Sequence, residues 1–164
     1  MIREIITKAV IGKGHLRQTN QYELHPECKV DEVLGCWIIG HHYEAFMKNE
    51  KLFVKGAYDI NLWYALEDKQ ESKVYVNTVE YLEELPISTK EDVDFNGDMM
   101  LVCTCPMQPV CLEAKKHEDY VEVTIEKTMH VDIVGETKIS VEVSDASEVW
   151  DEIDQSINTS FLEK

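Results

Sequence analysis

The sequence predicts a mostly-β fold, a single β-sandwich or barrel-like domain followed by a C-terminal acidic amphipathic helix. Three observations lead there. Short runs rich in β-branched and aromatic residues recur along the chain, separated by Gly, Pro and acidic turn signals. Several of these runs alternate apolar and polar residues, the period of a strand with one buried face. Only beyond residue 143 does the apolar spacing become near-helical.

The first run, Ile2 to Val10, alternates imperfectly, and Gly12 and Gly14 are expected to break it. Gln18 to Leu24 reads as a second short strand ended by Pro26. Val33 to Ile39 is too short for a typical helix and reads as a buried strand. Leu52-Phe53-Val54 leads to Gly56, a bulge or turn. Tyr58, Ile60, Leu62 and Tyr64 then alternate with Asp59, Asn61 and Trp63, and Trp63 implies that the second face is covered too. From Lys73 to Leu82, Val74, Val76, Thr78 and Glu80 share one face and Tyr75, Asn77, Val79 and Tyr81 the other, before Pro86 closes the region.

Asn96-Gly97 is a strong turn signal. Met99 to Cys103, Val110 to Ala114, Tyr120 to Ile125, His130 to Val134 and Lys138 to Val143 follow as short strands, with turns at Lys116–Asp119 and Gly135. Many short strands at such intervals are the pattern of a sandwich or barrel.

Residues 1–143 thus form the expected β-rich domain, and 144–164 the tail. Asp145 and Glu148 stand at N-cap and N3 spacing. Trp150, Ile153, Ile157 and Phe161 recur on one face of a helix expected from Ala146 to about Asn158, with Asp151, Glu152 and Asp154 opposite. Such a helix either packs on its own domain or docks in a partner's groove.

The charge balance excludes several functions. Lys plus Arg total 16 against 32 Asp plus Glu, a net charge of −16. That surface repels phosphate backbones and anionic lipid, so neither nucleic acid nor a membrane is an expected partner. No apolar run reaches the roughly 20 residues that span a bilayer. The N-terminal residues lack a signal peptide's apolar stretch, so the chain is expected to stay in the compartment where it is made. The five cysteines, an odd number, read as free thiols rather than a closed disulfide framework.

Candidate chemistry is sparse. Cys103, Cys105 and Cys111 form the densest thiol cluster and could ligate zinc, sit as buried thiols, or oxidise into intermolecular disulfides. Asp92, Asp94, Asn96, Gly97 and Asp98 resemble the start of a calcium loop, but Cys103 stands where a bidentate Glu belongs. A metal-binding module built on these residues is the alternative reading. His41, His42 and Asp59 could make an acid–base set, yet no nucleophile elbow, P-loop or dinucleotide fingerprint accompanies them, so neither an enzyme nor a cofactor is expected. Ile38, Ile60 and Leu62 read as core. Trp37, Trp63 and Tyr64 are candidate self-association anchors, because large aromatics dominate interface energetics.

Several stretches also carry a family resemblance. They are Arg3 to Val10 with Gly12-Lys13-Gly14, Leu34 to Ile39 with His42 to Ala45, and Gly56 to Tyr64. Gln108 to Glu113, Val134 to Lys138, and Asn158 with Phe161-Leu162 continue the series. Together, in this order, they resemble the CotE family of outer spore coat morphogenetic proteins. Glu83 to Leu101 departs from the pattern, as do Cys103 and Cys105, and the acidic tail is shorter than the family's.

The resemblance implies a non-enzymatic protein, synthesised in the mother-cell cytoplasm, that surrounds the developing forespore as a homo-oligomer in the spore coat. It implies docking on an inner morphogenetic coat protein and recruitment of outer coat proteins through the C-terminal region. Here that region holds Trp150, Ile153, Ile157, Phe161 and Leu162.

Overall fold

The computed structural model describes residues 2–67, 70–89 and 97–142. The tail from 144 onward, with its expected helix, lies outside the described residues, as do Asp92, Asp94 and Asn96. Among the described residues, seven strands form in chain order: β1 (Ile2–Leu24), β2 (Glu32–Lys48), β3 (Lys51–Ala65), β4 (Ser72–Leu85), β5 (Ile87–Thr89), β6 (Met100–Lys116) and β7 (Val121–Glu142). They build two sheets rather than a closed barrel, ordered β5-β1-β7-β6 and β2-β3-β4. No helix occurs among the described residues.

The described residues belong to two compact units. One draws on the described residues 2–9 and 136–142, and its Ile2, Ile5 and Ile6 are exposed. The other, Val10–Gly135, contains the core. Leu52, Val54, Tyr58, Ile60 and Leu62 of β3 are buried there against Val121, Val123, Ile125, Met129, Val131 and Ile133 of β7. Period two puts all the β3 members on one face, and each contributes about 1.5–3 kcal/mol on burial.

β3 pairs antiparallel with β2 on one side and β4 on the other. Lys48 opposite Lys51 closes the β2–β3 hairpin through Asn49 and Glu50, both at positive φ, 52° and 62°. That is the two-residue turn whose twist matches the strands. Asn tolerates it, while Glu50 costs about 1 kcal/mol there.

Strands expected to be separate are continuous. Gly12 and Gly14 do not break β1, and Gly135 does not turn β7. They mark close approaches instead. A Cβ on Gly14 would collide with the Leu52 side chain of the facing sheet, and one on Gly135 would lie 2.5 Å from Ile11 Cδ1. Glycine inside a strand serves such contacts without ending it. Gly56 is likewise neither bulge nor turn, since it pairs in regular register with Tyr43 and Tyr81, and a Cβ there would meet the Tyr81 hydroxyl.

β6 runs through Pro106 and Pro109 because it is a sheet-edge strand, and its register shifts between Thr104, Met107 and Val110. An edge and its bulges accept the missing N–H of proline. β2 continues through His41-His42, with a register shift between Ile39 and His42 and Gly40 at φ 70°.

The outer face of β2-β3-β4 differs from expectation. Leu34, Trp37, Ile39 and Trp63 are exposed, so β2 is not buried on both faces and the Trp63 side is not covered by the described residues.

Candidate functional site: an apolar sheet face and a thiol seam

Alternation along β2, β3 and β4 sends one set of side chains to the core and the other outward. The outward set is unusually apolar at both ends of the sheet. At one end Trp37 stacks on Trp63, with ring centroids 6.0 Å apart and an interplanar angle of 27°. Trp63 is paired across strands with Val74, and Asn61, the partner of Trp37, is paired with Val76. Trp37 is 51% exposed and Trp63 38%, and Ile39, Val74 and Val76 are exposed around them. At the other end Phe46 stacks on Phe53 at 5.4 Å, with Leu82 exposed on β4. Tyr64 does not belong to this face. It is 3% exposed and lies in the core, the direction that its position in step with Ile60 and Leu62 requires.

Gly35 makes the tryptophan stack possible. It sits opposite Trp63 in the register, and its missing side chain leaves room for the Trp37 ring. A Cβ there would stand 2.7 Å from the nearest ring carbon.

Between the aromatic ends is a concavity of about 440 Å³ lined by His42, Glu44, Lys55, Gly56, Glu80 and Tyr81 among others. It does not gather the suspected acid–base set. His42 is hydrogen-bonded to the Gly40 carbonyl, Asp59 accepts from the Thr78 hydroxyl at 2.6 Å, and His41 turns to Tyr81 and Gln108.

A polar cluster lies beneath His41. Its Nε2 is 2.6 Å from the Tyr81 hydroxyl. Burial lowers the His41 pKa and so favours the neutral ring. Lys127, 1% exposed, places its ammonium 4.3 Å from the Tyr81 ring centre and donates to Gln18 Oε1 at 2.9 Å. Burial also lowers the Lys127 pKa, and it raises those of Tyr58 and Tyr81. The pattern around Glu126-Lys127-Thr128 gave no hint that this lysine points inward.

The thiols divide by place. Cys103 and Cys105 are half-buried on β6 and pack against the core. Burial pushes Cys103 up to about 11 and raises Cys105 as well. Cys111 meets a partner that sequence reasoning passed over, Cys36 of β2, whose S–H donates to it. That hydrogen bond holds Cys111 below the ordinary thiol range and Cys36 above it. Only strand parity, Cys36 being in step with Ile38, could have shown that Cys36 faces inward. Among the described residues, no three His, Cys, Asp or Glu side chains converge as metal ligands.

The family model described as outer spore coat protein E (CotE) matches residues 1–163. No curated protein and no solved structure matches.

Proposed function

Because this chain belongs to the outer spore coat protein E (CotE) family, we propose that it is a structural, non-enzymatic scaffold that shapes the outer layer of the spore coat. It is synthesised in the mother-cell cytoplasm and self-associates around the forespore. It docks on an inner morphogenetic coat protein and recruits outer coat proteins through residues 144–164, with Trp150, Ile153, Ile157, Phe161 and Leu162 as anchors.

The observation that supports self-association is the outer face of β2-β3-β4, not covered by the described residues, with the Trp37–Trp63 stack exposed at one end. Stacked tryptophans ringed by valine and isoleucine are the composition of an interface hot spot. A contiguous apolar patch of this kind marks an interaction surface on a soluble chain. β4 adds an outer margin, since among the described residues only β3 pairs with it. The net charge of −16 opposes indiscriminate clumping, so that association depends on a matched face.

Light scattering after size-exclusion chromatography, over a concentration series with and without reductant, tests this. Large species that persist in reductant are expected, and Trp37→Ser with Trp63→Ser is expected to abolish them. A monomer at every concentration in both conditions overturns the self-association part. Removing residues 144–164 is expected to leave assembly intact and to abolish capture of outer coat proteins. Undiminished capture by the truncated chain overturns the recruitment part.

A further inference from the structure

We propose that Cys36 and Cys111 form an oxidisable pair that a peroxide converts into an intramolecular disulfide, latching β2 of one sheet to β6 of the other.

The two strands are the facing margins of their sheets. They belong to different ladders, yet their backbones run alongside each other with Cα atoms within 8 Å. Two side-chain contacts fix their alignment. Cys36 meets Cys111, and further along the same seam His41 Nδ1 lies 3.1 Å from Gln108 Oε1. Advancing along β2 from Cys36 to His41 corresponds to going back along β6 from Cys111 to Gln108, so the strands lie antiparallel. No ladder hydrogen bonds hold this seam, and a covalent bond across it would supply what the backbone does not.

The chemistry distinguishes the two thiols from the others. The reactive species is the thiolate. Cys111 accepts the Cys36 S–H, which lowers its pKa and favours its thiolate, while as a thiol it donates to the Glu113 carbonyl at 3.4 Å. Cys103 and Cys105, against the core, are held as thiols by burial. The Cys111 thiolate attacks one oxygen of the peroxide and breaks the O–O bond, leaving a sulfenic acid and hydroxide. Cys36 then gives up its proton and attacks the Cys111 sulfur, expelling the second oxygen as hydroxide. Two thiols and one hydrogen peroxide yield one disulfide and two waters, with two electrons passing from sulfur to oxygen.

The latch bears on the apolar face. Trp37 follows Cys36 directly and points to the opposite side of β2, so closing the seam pins the strand that carries the tryptophan stack.

The test uses the full-length protein, half of it isotopically labelled. The mixed sample is exposed to hydrogen peroxide, its remaining thiols are alkylated, and it is digested without reductant for mass spectrometry. The expected result is a linked peptide pair containing Cys36 and Cys111 from chains of the same label. A melting temperature higher by roughly 5–15 °C, reversed by dithiothreitol, is expected from closing so long a loop. Recovery of both cysteines as alkylated thiols overturns the proposal. So does a link from Cys111 to Cys103 or Cys105, or one joining the two labels. In Cys36→Ser, Cys111 is expected to accumulate as a sulfenic acid trapped by dimedone. If that variant fails to fold, the map of the unaltered protein still decides.

Discussion

Gly35 lies beneath the indole of Trp37, where a Cβ would stand 2.7 Å from the ring. The smallest side chain in the face therefore decides how its largest one is displayed. Gly35→Ala is expected to push Trp37 off Trp63 while leaving β2 paired with β3. Loss of the tryptophan–tryptophan signal in circular dichroism, with an unchanged sheet spectrum, would show it. An unchanged aromatic signal would mean that the ring does not need the space.

Trp37→Ser and Trp63→Ser separate folding from assembly. Both rings are substantially exposed in the folded chain, so stability is expected to change by less than about 1 kcal/mol. Self-association is expected to weaken at least tenfold, because truncating a hot-spot aromatic costs about 2 kcal/mol or more. Chemical denaturation read beside sedimentation compares the two. A large loss of stability with unaltered association would reverse the assignment.

Gly14 and Leu52 meet across the two sheets without room for another carbon. Gly14→Ala is expected to lower stability by about 1–3 kcal/mol, the usual cost of overpacking a tight core. Leu52→Ala alone leaves a void and costs about 2–5 kcal/mol. The double variant is expected to lose clearly less than the sum, since each change relieves the other. Simple additivity in urea denaturation would show that the two side chains do not share one space.

Lys127 is buried with its ammonium on Gln18 and over the Tyr81 ring. Lys127→Ala removes the packed stem and the shorter of the two hydrogen bonds to Gln18 Oε1, leaving that from Asn20, at an expected cost of about 2–4 kcal/mol. Lys127→Met keeps most of the stem and is expected to cost less than half as much. Equal losses in thermal or urea unfolding would locate the contribution in the charge rather than in packing.

Stability should fall in alkali through thiol and phenol groups that burial keeps protonated. The Cys103 pKa is raised from 9.0 to about 11 in the folded chain. Between those values the folded chain retains a proton that the unfolded chain has released. The contribution is therefore complete below pH 9 and is lost as pH rises through about 11. Tyr58 and Tyr81, also raised by burial, extend the decline above pH 10. Lys127 acts with the opposite sign: its lowered pKa lets the folded chain lose a proton first, which adds stability as pH climbs toward 10.5. Urea midpoints across this range are expected to fall less steeply between pH 9 and 11 in Cys103→Ala. An unchanged slope would remove Cys103 from the account.

Much of the central sheet was legible in the sequence. The alternation through Tyr58, Ile60, Leu62 and Tyr64 and the two faces of Lys73 to Leu82 read correctly, because period two belongs to each strand alone. That same period places Tyr64 in the core and rules it out as a surface anchor. The glycines misled, since a glycine inside β1 or β7 looks the same in sequence whether it ends a strand or receives a neighbour's side chain. The Asn49-Glu50 turn escaped notice because Glu lacks the usual mark of a residue at positive φ.

By itself the sequence determined the β class of this protein, the inward rows of β3 and β4, the acidic surface and the family. These depend on side-chain type and on spacing along one strand. Only the tertiary structure decided that a few long strands rather than many short ones carry the described residues, and that Cys111 meets Cys36 rather than its sequence neighbours. It also decided that Lys127 is enclosed and that the described residues leave Trp37 and Trp63 exposed. Each of these depends on which strand lies against which, and that follows from two sheets packing over one core, a relation between residues far apart in the chain.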